Sequence, residues 1–352
     1  MLLFKCQNCG QVIYFENTLC ENCGSRLGYL PDIGTMSAAQ PDGPTWVALA
    51  DATRRYRFCE NWERWACNWM VDAAEGEVMC RACQHNRTIP DISDPENMRC
   101  WQKIEEAKRR LFYALIKLSL PAPTVASGDP EPLVFDFLAD PPDGGPQVMT
   151  GHDNGLITIA LKEADDAVRE ASRATMGELY RTLLGHFRHE VGHYYWDKLV
   201  RDGGEQESFR QLFGDEREDY GAALQRHYEN GAPADWSNAF VSAYATMHPW
   251  EDWAETWAHY LHIVDTLEMA GAFGIRIDPD VSDDPALEAE VTFDPARVRH
   301  IETLIDAWLP LTYAVNSLNR SMGQPDLYPF RIPPRLVEKL GYIHALVQQR
   351  RS

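Results

Sequence analysis

Apolar residues recur at three- and four-residue steps over long parts of the chain, and this spacing predicts amphipathic helices. One such helix begins behind Asp94, a capping residue, and Pro95, which suits the first helical position, and it ends before Pro121. Its apolar positions are Trp101, Ile104, Ala107, Leu111 and Leu115. Similar patterns follow one another from about Thr175 to the C-terminus. We therefore expect a mostly helical body.

Two shorter apolar stretches, residues 132–140 and 147–161, are typical of β-strands. Asn154-Gly155 in the second stretch is a strong hairpin-turn signal, and a strand is predicted directly after it at 156–161. We expect this strand to be a sheet edge on which an extended peptide could add as a further strand. The pattern predicts an α+β fold, in which residues 101–352 form a mostly helical domain with a small sheet.

Four cysteines near the N-terminus form two C-x2-C pairs that are ten residues apart: Cys6, Cys9, Cys20 and Cys23. Gly10 and Gly24 follow the pairs and permit the tight turns that aim two thiolates at one ion. Four thiolates with this spacing suit a closed tetrahedral zinc site. Because about thirty residues bury little core, the metal would supply the folding free energy. Residues 1–30 are predicted to be a zinc ribbon with a structural or partner-binding role.

A second and looser group of cysteines follows residues 31–55, a stretch rich in proline, glycine and small residues that is predicted to be a linker. We assign to this group a second structural zinc site, and its predicted ligands are Cys59, Cys67, Cys80 and Cys83. His85 and Cys100 are reserve ligands, although an unpaired buried thiol is the default for Cys100. Residues 56–100 are therefore predicted to be a second cysteine-rich zinc module.

The chain carries 53 acidic and 33 basic residues, which gives a formal net charge of −20. This balance argues against a general nucleic-acid or anionic-membrane surface. No stretch reaches the ~18 consecutive apolar residues of a membrane span, and the N-terminus lacks a signal-peptide pattern, so we expect a cytoplasmic protein. A reducing cytosol favours metal ligands or free thiols over disulfides for the nine cysteines. The basic run 108–110 is expected on a solvated helix face.

The stretch GHFRHEVGHYYW, residues 185–196, contains two histidines four residues apart with a glutamate between them. On a helix, His189 and His193 share one face, and both imidazoles can reach a single zinc ion. Glu190 is rotated by about 100° from His189 and can reach a water beside the metal, as a general base must. The stretch predicts a catalytic zinc site that needs a third protein ligand.

A later segment, HPWEDWAETWAHYLHI, offers that third ligand. Glu251 and Glu255 lie one turn apart on a helix that begins near Pro249, so one carboxylate can bind zinc while the other orients a ligand histidine. The spacing alone leaves open which glutamate takes which role. His248 either donates a hydrogen bond to an oxyanion or caps this helix. Structural or capping roles, rather than metal binding, are expected for His186, His259, His262, Asp215 and Asp219.

These segments resemble the gluzincin metallopeptidases, in which a glutamate on a later helix is the third ligand and an acidic residue follows it by four positions. The resemblance implies that Glu251 binds the zinc and that Glu255 supports a ligand histidine. The region is also similar to the protease domain of anthrax lethal factor, in which a tyrosine precedes the ligand glutamate by seven residues and aromatic residues are interleaved. Tyr244, Trp253 and Trp257 match those positions, which implies that Tyr244 helps to stabilise the oxyanion.

Most of the chain resembles the bacterial family named putative zinc-binding metallopeptidase. The resemblance is carried by the N-terminal ribbon and by the segments CNW…CRAC…NRTIPD, GHFRHEVGHYYW and HPWEDWAETWAHYLHI. It implies a zincin-like metallopeptidase domain preceded by small cysteine-rich zinc modules, with one catalytic and two structural Zn2+ ions.

We therefore expect a zinc metallopeptidase that hydrolyses peptide bonds of peptide or protein substrates through a zinc-activated water, with Glu190 as the general base. One alternative is a zinc-stabilised module that binds a protein partner through the ribbon and keeps a vestigial zincin site. The intact Glu190 argues against it, because a binding module needs no general base. Another alternative is a zinc hydrolase of a non-peptide amide, which would use the same residues.

Overall fold

A computed structural model of the chain describes residues 2–141, 143–176 and 181–350. The chain divides into two compact units, Met1–Asp165 and Asp166–Ser352. Helices and strands are both present, which confirms the predicted α+β class. The division falls at Asp165 instead of residue 100, so the helix that follows Asp94 belongs to the first unit.

The first unit begins with a two-stranded antiparallel ribbon and continues with a five-stranded antiparallel sheet. The ribbon strands are β1 Phe4–Lys5 and β2 Val12–Ile13. The sheet strands, which are neighbours in chain order, are β3 Arg26–Leu30, β4 Thr35–Asp42, β5 Thr45–Ala48, β6 Asp51–Phe58 and β7 Met70–Asp72. A parallel bridge between Tyr29 and Trp69 brings the start and the end of this sheet together.

The predicted linker at 31–55 is wrong, because this segment forms β4, β5 and most of β6. Its small residues are strand residues: Ala38 and Ala48 are buried in the unit's core. Its glycine lies in a turn between strands: Gly43, at φ 59°, is in the tight connection between β4 and β5. One continuous sheet therefore joins the two cysteine-rich segments.

The remainder of the first unit is a long helix beside a four-stranded sheet. The helix is α1 Pro95–Lys117, and Asp94 caps it by accepting a hydrogen bond from the backbone N–H of Glu96. The strands, in chain order, are β8 Asn86–Thr88, β9 Val134–Leu138, β10 Gly151–Asp153 and β11 Leu156–Ala160. Tyr113 of α1 packs against Phe15 of the ribbon with ring centroids 5.4 Å apart, so helix and ribbon share a core.

The hairpin at Asn154-Gly155 is confirmed, with φ angles of 47° and 86° at the two turn residues. The edge position predicted for 156–161 is wrong. In the sheet order β10-β11-β9-β8, β11 pairs with β10 on one side and with β9 on the other. Both of its hydrogen-bonding edges are used within the sheet, so an added peptide strand has no place on it.

The basic run 108–110 is not a solvated face. Lys108 and Glu105 are completely buried and form an ion pair at 2.9 Å. Arg109 is also buried and donates a hydrogen bond to the carbonyl of Ala66. Only Arg110 keeps substantial exposure. A buried charge persists when a partner and hydrogen bonds compensate its desolvation. Glu105 on the same helix and the side chain of Asn86 compensate Lys108, and the carbonyl of Ala66 compensates Arg109.

The second unit is built around one long central helix. Its elements are α2 Asp166–Met176, α3 Leu183–Tyr195, α4 Gln206–Phe213, α5 Tyr220–Asn230, α6 Pro249–Phe273, β12 Arg276–Ile277, β13 Ala289–Glu290, α7 Ile301–Ser321 and α8 Pro334–Gln349. Helix α6 packs against α3, α4, α7 and α8, and Trp253, Trp257 and Tyr260 on it are fully buried. Among the residues described, no helix has both the length and the apolar character required to cross a bilayer.

Candidate metal centre

Helices α3 and α6 approach each other closely at Gly192. A Cβ atom at this position would lie 3.1 Å from the Cα of Ala254 and 3.2 Å from a ring carbon of Trp257. The carbonyl of Gly192 accepts a hydrogen bond from the indole N–H of Trp253 at 2.8 Å. Glycine therefore lets the helix that carries the two histidines lie directly against the helix that carries the two glutamates.

The three predicted ligands of the catalytic zinc come together at this crossing. The ligand atoms of His189, His193 and Glu251 all lie within 4.8 Å of one another. The Nε2 atom of His189 is 3.0 Å from Oε2 of Glu251, and Nε2 of His193 is 3.5 Å from Oε1. Atoms bound tetrahedrally at 2.0–2.1 Å to one zinc ion lie roughly 3.4 Å apart. The cluster has the size that such an ion requires.

Glu255 holds His189 from the opposite side of its ring. The Nδ1 atom of His189 is 2.7 Å from Oε1 of Glu255, and a carboxylate can only accept, so Nδ1 carries the proton. Ser242 donates to the other oxygen of Glu255 at 2.7 Å, and its own oxygen accepts from the N–H of Ala245. This chain of hydrogen bonds fixes the ring orientation and leaves the Nε2 lone pair facing the cluster.

The donor set fits a bound cation. The Nε2 lone pair of His189 faces the carboxylate of Glu251, and these two electron-rich atoms repel each other unless a positive charge lies between them. Oε2 of Glu251 is buried and has no hydrogen-bond partner among the described residues. Two imidazoles and a carboxylate are ligands that zinc accepts, with a fourth position left open.

The electrostatics of the cluster favour a positive charge, which is a proton on His189 when no metal is bound. Burial alone would lower the pKa of His189, but the carboxylates of Glu251 and Glu255 raise it well above its usual value. Burial would likewise raise the pKa of Glu251, but His193 and His189 hold it well below its usual range. The cluster keeps its carboxylate ionised and favours a positive charge between the side chains.

Glu190 follows the first ligand histidine on α3 and is half-buried. Within the described parts of the chain its carboxylate has no hydrogen-bond or ion-pair partner, although its charge acts on Tyr220. A carboxylate that is partly exposed beside the cluster and not engaged elsewhere is available to accept a proton.

His248 is placed as a helix cap. It is the N-cap of α6: its Nδ1 atom accepts from the N–H of Trp250 at 3.1 Å, and its Nε2 atom donates to the carbonyl of Glu218 at 3.1 Å. Both ring nitrogens are engaged, so of the two roles considered for His248 the geometry supports capping and not donation to an oxyanion.

Two tyrosines border the cluster, and only one of them was expected. The ring of Tyr244 lies 6.2 Å from the ring of His189. Tyr220 was not singled out by the sequence, yet its hydroxyl donates to Oε1 of Glu251 at 2.9 Å. A tyrosine at the start of a polar helix, 31 residues before the glutamate that it contacts, carries no local sequence signal. Burial raises the pKa of both tyrosines, which keeps both hydroxyl groups protonated.

The neighbouring histidines and aspartates lie outside the ligand cluster. His259 is hydrogen-bonded to the hydroxyl of Tyr328 at 2.8 Å, and His262 contacts Arg188. Asp219 caps α5, and Asp215 pairs with Arg217. His186 is half-buried on α3.

Comparison of the sequence with known protein families identifies the family to which the chain belongs. Residues 97–346 match the family described as putative zinc-binding metallo-peptidase, and residues 3–94 match a zinc-ribbon domain. The chain belongs to the putative zinc-binding metallo-peptidase family. The resemblance to this bacterial family and the predicted N-terminal zinc ribbon are thereby confirmed.

Relatives of this metallo-peptidase family member occur in mycobacteria. Uncharacterized protein Rv2568c of Mycobacterium tuberculosis and uncharacterized protein Mb2598c of Mycobacterium bovis are each 41% identical to it over 350 residues. The alignments cover 98% of this chain and 95% of each relative. No solved structure matches the chain.

The zinc-ribbon match, residues 3–94, covers two further clusters of metal-binding side chains. Their members are Cys6, Cys9, Cys20 and Cys23 in the first, and Cys59, Cys67, Cys80 and Cys83 in the second. The sulfurs of Cys6 and Cys23, and those of Cys67 and Cys80, are 3.6 Å apart. Sulfurs bound tetrahedrally at ~2.3 Å to one zinc lie roughly 3.8 Å apart. Both clusters therefore fit zinc.

The two reserve ligands lie outside these clusters. His85 is buried, and its Nδ1 atom is 2.7 Å from the carbonyl of Leu133. Cys100 is a buried thiol 3.5 Å from a carboxylate oxygen of Glu96.

Proposed function

We propose that the chain is a zinc-dependent peptidase of the gluzincin type. The observation that carries the proposal is the convergence of His189, His193 and Glu251 at the size of a zinc site, with the unengaged Glu190 beside it. Zinc bound there supplies a Lewis acid that polarises a scissile carbonyl and acidifies water. The two four-cysteine clusters hold structural zinc in this account.

The protein's own residues then have separate tasks. His189, His193 and Glu251 hold the metal, and Glu255 keeps the proton of His189 on Nδ1, so that Nε2 remains a ligand. Glu190 accepts the proton of the attacking water and passes it to the leaving amine. The water's oxygen ends in the new carboxyl group, the amine leaves with the transferred proton, and the water's second proton is lost when that carboxyl group ionises.

The test is a cleavage assay on a peptide library with Glu190→Gln. This change keeps the size of the side chain and removes its ability to accept a proton. We expect turnover to fall by at least about 10²-fold with the zinc content of the protein unchanged. Glu229→Gln, at an exposed position of α5, is the matched control and should cleave as the wild type does.

The proposal fails if zinc-loaded wild type cleaves no member of the library, or if Glu190→Gln cleaves as fast as the wild type. After the first result, the remaining hypothesis would be that the same residues hydrolyse a non-peptide amide. The second result would show that Glu190 is not the general base.

A further inference from the structure

Tyr220 lies outside the two site helices, and its side chain donates a hydrogen bond to Glu251, a member of the His189–His193–Glu251 cluster. The accepting atom, Oε1 of Glu251, is the oxygen that also faces His193. The phenolic hydroxyl therefore lies beside the position where the ligand atoms converge. The charge of Glu190 contributes to raising the pKa of Tyr220, after burial and the charge of Glu251.

The ring of Tyr220 packs at the border of the site, with its centroid 5.4 Å from the ring of His248 and 6.5 Å from that of Trp250. The rest of helix α5, which begins at Tyr220, contributes one buried residue, Ala223, and Tyr220 itself is 37% exposed. Packing therefore holds the ring in place, while the hydroxyl is directed to a buried carboxylate on α6.

The backbone around Tyr220 is held in place by polar contacts. His248 donates to the carbonyl of Glu218, two residues before the tyrosine. Asp219 caps the helix by accepting from the N–H of Ala222 at 2.7 Å. The capping role of His248 therefore positions the segment that presents Tyr220 as well as the start of α6.

Tyr244, the tyrosine named by the family resemblance, makes no hydrogen bond to the ligand cluster among the described residues. Its ring lies 6.2 Å from the ring of His189. Of the two tyrosines, Tyr220 is therefore the one whose hydroxyl contacts a ligand side chain directly.

We propose that Tyr220, ahead of Tyr244, is the hydroxyl that hydrogen-bonds the oxyanion formed from the scissile carbonyl. The proposal rests on the proposed hydrolytic function. When a substrate carbonyl oxygen reaches the cluster, the hydroxyl transfers its hydrogen bond from Glu251 to that oxygen. The bond strengthens as negative charge develops, because hydrogen bonds to charged acceptors are stronger than those to neutral ones. No proton leaves Tyr220.

The experiment compares Tyr220→Phe, Tyr244→Phe and Tyr228→Phe in the full-length, zinc-loaded protein. Tyr228 is on the same helix, is 70% exposed and serves as the matched control. Three quantities are measured: zinc affinity at the His189 site, kcat and KM on a cleaved peptide, and the Kd of acetohydroxamate. The last is a small anionic chelator that presents oxygens to zinc and has no side chain to recognise, so it reports on the hydroxyl independently of turnover.

We expect Tyr220→Phe to lower kcat about 10²-fold with KM changed by less than about threefold, and to weaken acetohydroxamate binding about tenfold or more. Zinc affinity should change by less than about threefold. Tyr244→Phe should show the same pattern with smaller losses, and Tyr228→Phe should match the wild type in all three quantities.

The proposal is overturned if Tyr220→Phe binds zinc 10–100-fold more weakly but keeps kcat and acetohydroxamate affinity at saturating zinc, because Tyr220 would then only support Glu251. Larger losses in Tyr244→Phe than in Tyr220→Phe would overturn the order of the two tyrosines. If wild type cleaves no peptide, the peptidase proposal fails by itself, and the acetohydroxamate series still decides whether Tyr220 donates to an oxygen at the metal.

Discussion

At the scale of single residues, the candidate site depends on what lies on each side of the His189 ring. Glu251 faces Nε2 at 3.0 Å and Glu255 faces Nδ1 at 2.7 Å. Burial opposes ionisation of Glu255, but the hydrogen bond from His189 lowers its pKa below the usual value. The charged form of Glu255 therefore holds the imidazole proton away from the cluster and increases the basicity of the ligand nitrogen.

Glu255→Gln tests this support. The amide keeps the shape of the side chain but loses the charge, so we expect zinc affinity at the His189 site to fall about 10–100-fold. A competition titration with a chromophoric chelator measures the change, and Glu338→Gln, at an exposed position of α8, is the control. Equal zinc affinity of Glu255→Gln and wild type would show that Glu255 does not support the ligand.

At the scale of elements, the site is the crossing of α3 and α6. Gly192 sets the distance between them, because a Cβ added there meets the backbone of Ala254 and the buried ring of Trp257. Trp253 stabilises this contact between the two helices by donating a hydrogen bond to the carbonyl of Gly192. The two histidines and the two glutamates face each other only while this separation holds.

Gly192→Val is predicted to force the helices apart. Overpacking of this kind costs about 1–3 kcal/mol, and we expect a lower Tm together with loss of zinc from the His189 site. Gly221→Val on the exposed α5 is the control, since a Cβ there meets only Asp219 at 3.5 Å. If Gly192→Val kept its Tm and its zinc content, Gly192 would not be needed for the close packing of α3 against α6.

The parts of this site that the sequence predicted are those that helical periodicity determines. His189 and His193 share a face because they are four residues apart, and Glu251 and Glu255 do so for the same reason. Tyr220 was missed because its partner lies 31 residues away and nothing in its local pattern indicates that contact. Lys108 and the strands within 31–55 were misjudged because tertiary neighbours, and not local composition, decide whether a charge or a run of small residues is buried.

At the scale of the whole molecule, the chain joins two units that each carry metal-binding side chains. The first contains two four-cysteine clusters that share one sheet and a common aromatic core, and the second contains the His189 cluster. The relatives at 41% identity extend over both units. The ribbon unit and the unit with the His189 cluster therefore occur together in these relatives.

The measurement that tests this account most directly is zinc stoichiometry by elemental analysis, on wild type and on the double variant His189→Ala/His193→Ala. The account predicts three zinc ions per chain in wild type and two in the double variant, because only the cysteine clusters remain. Two zinc ions in both proteins would contradict it: the helix crossing would then be an ordinary core contact, and the function would have to be sought in the cysteine-rich unit.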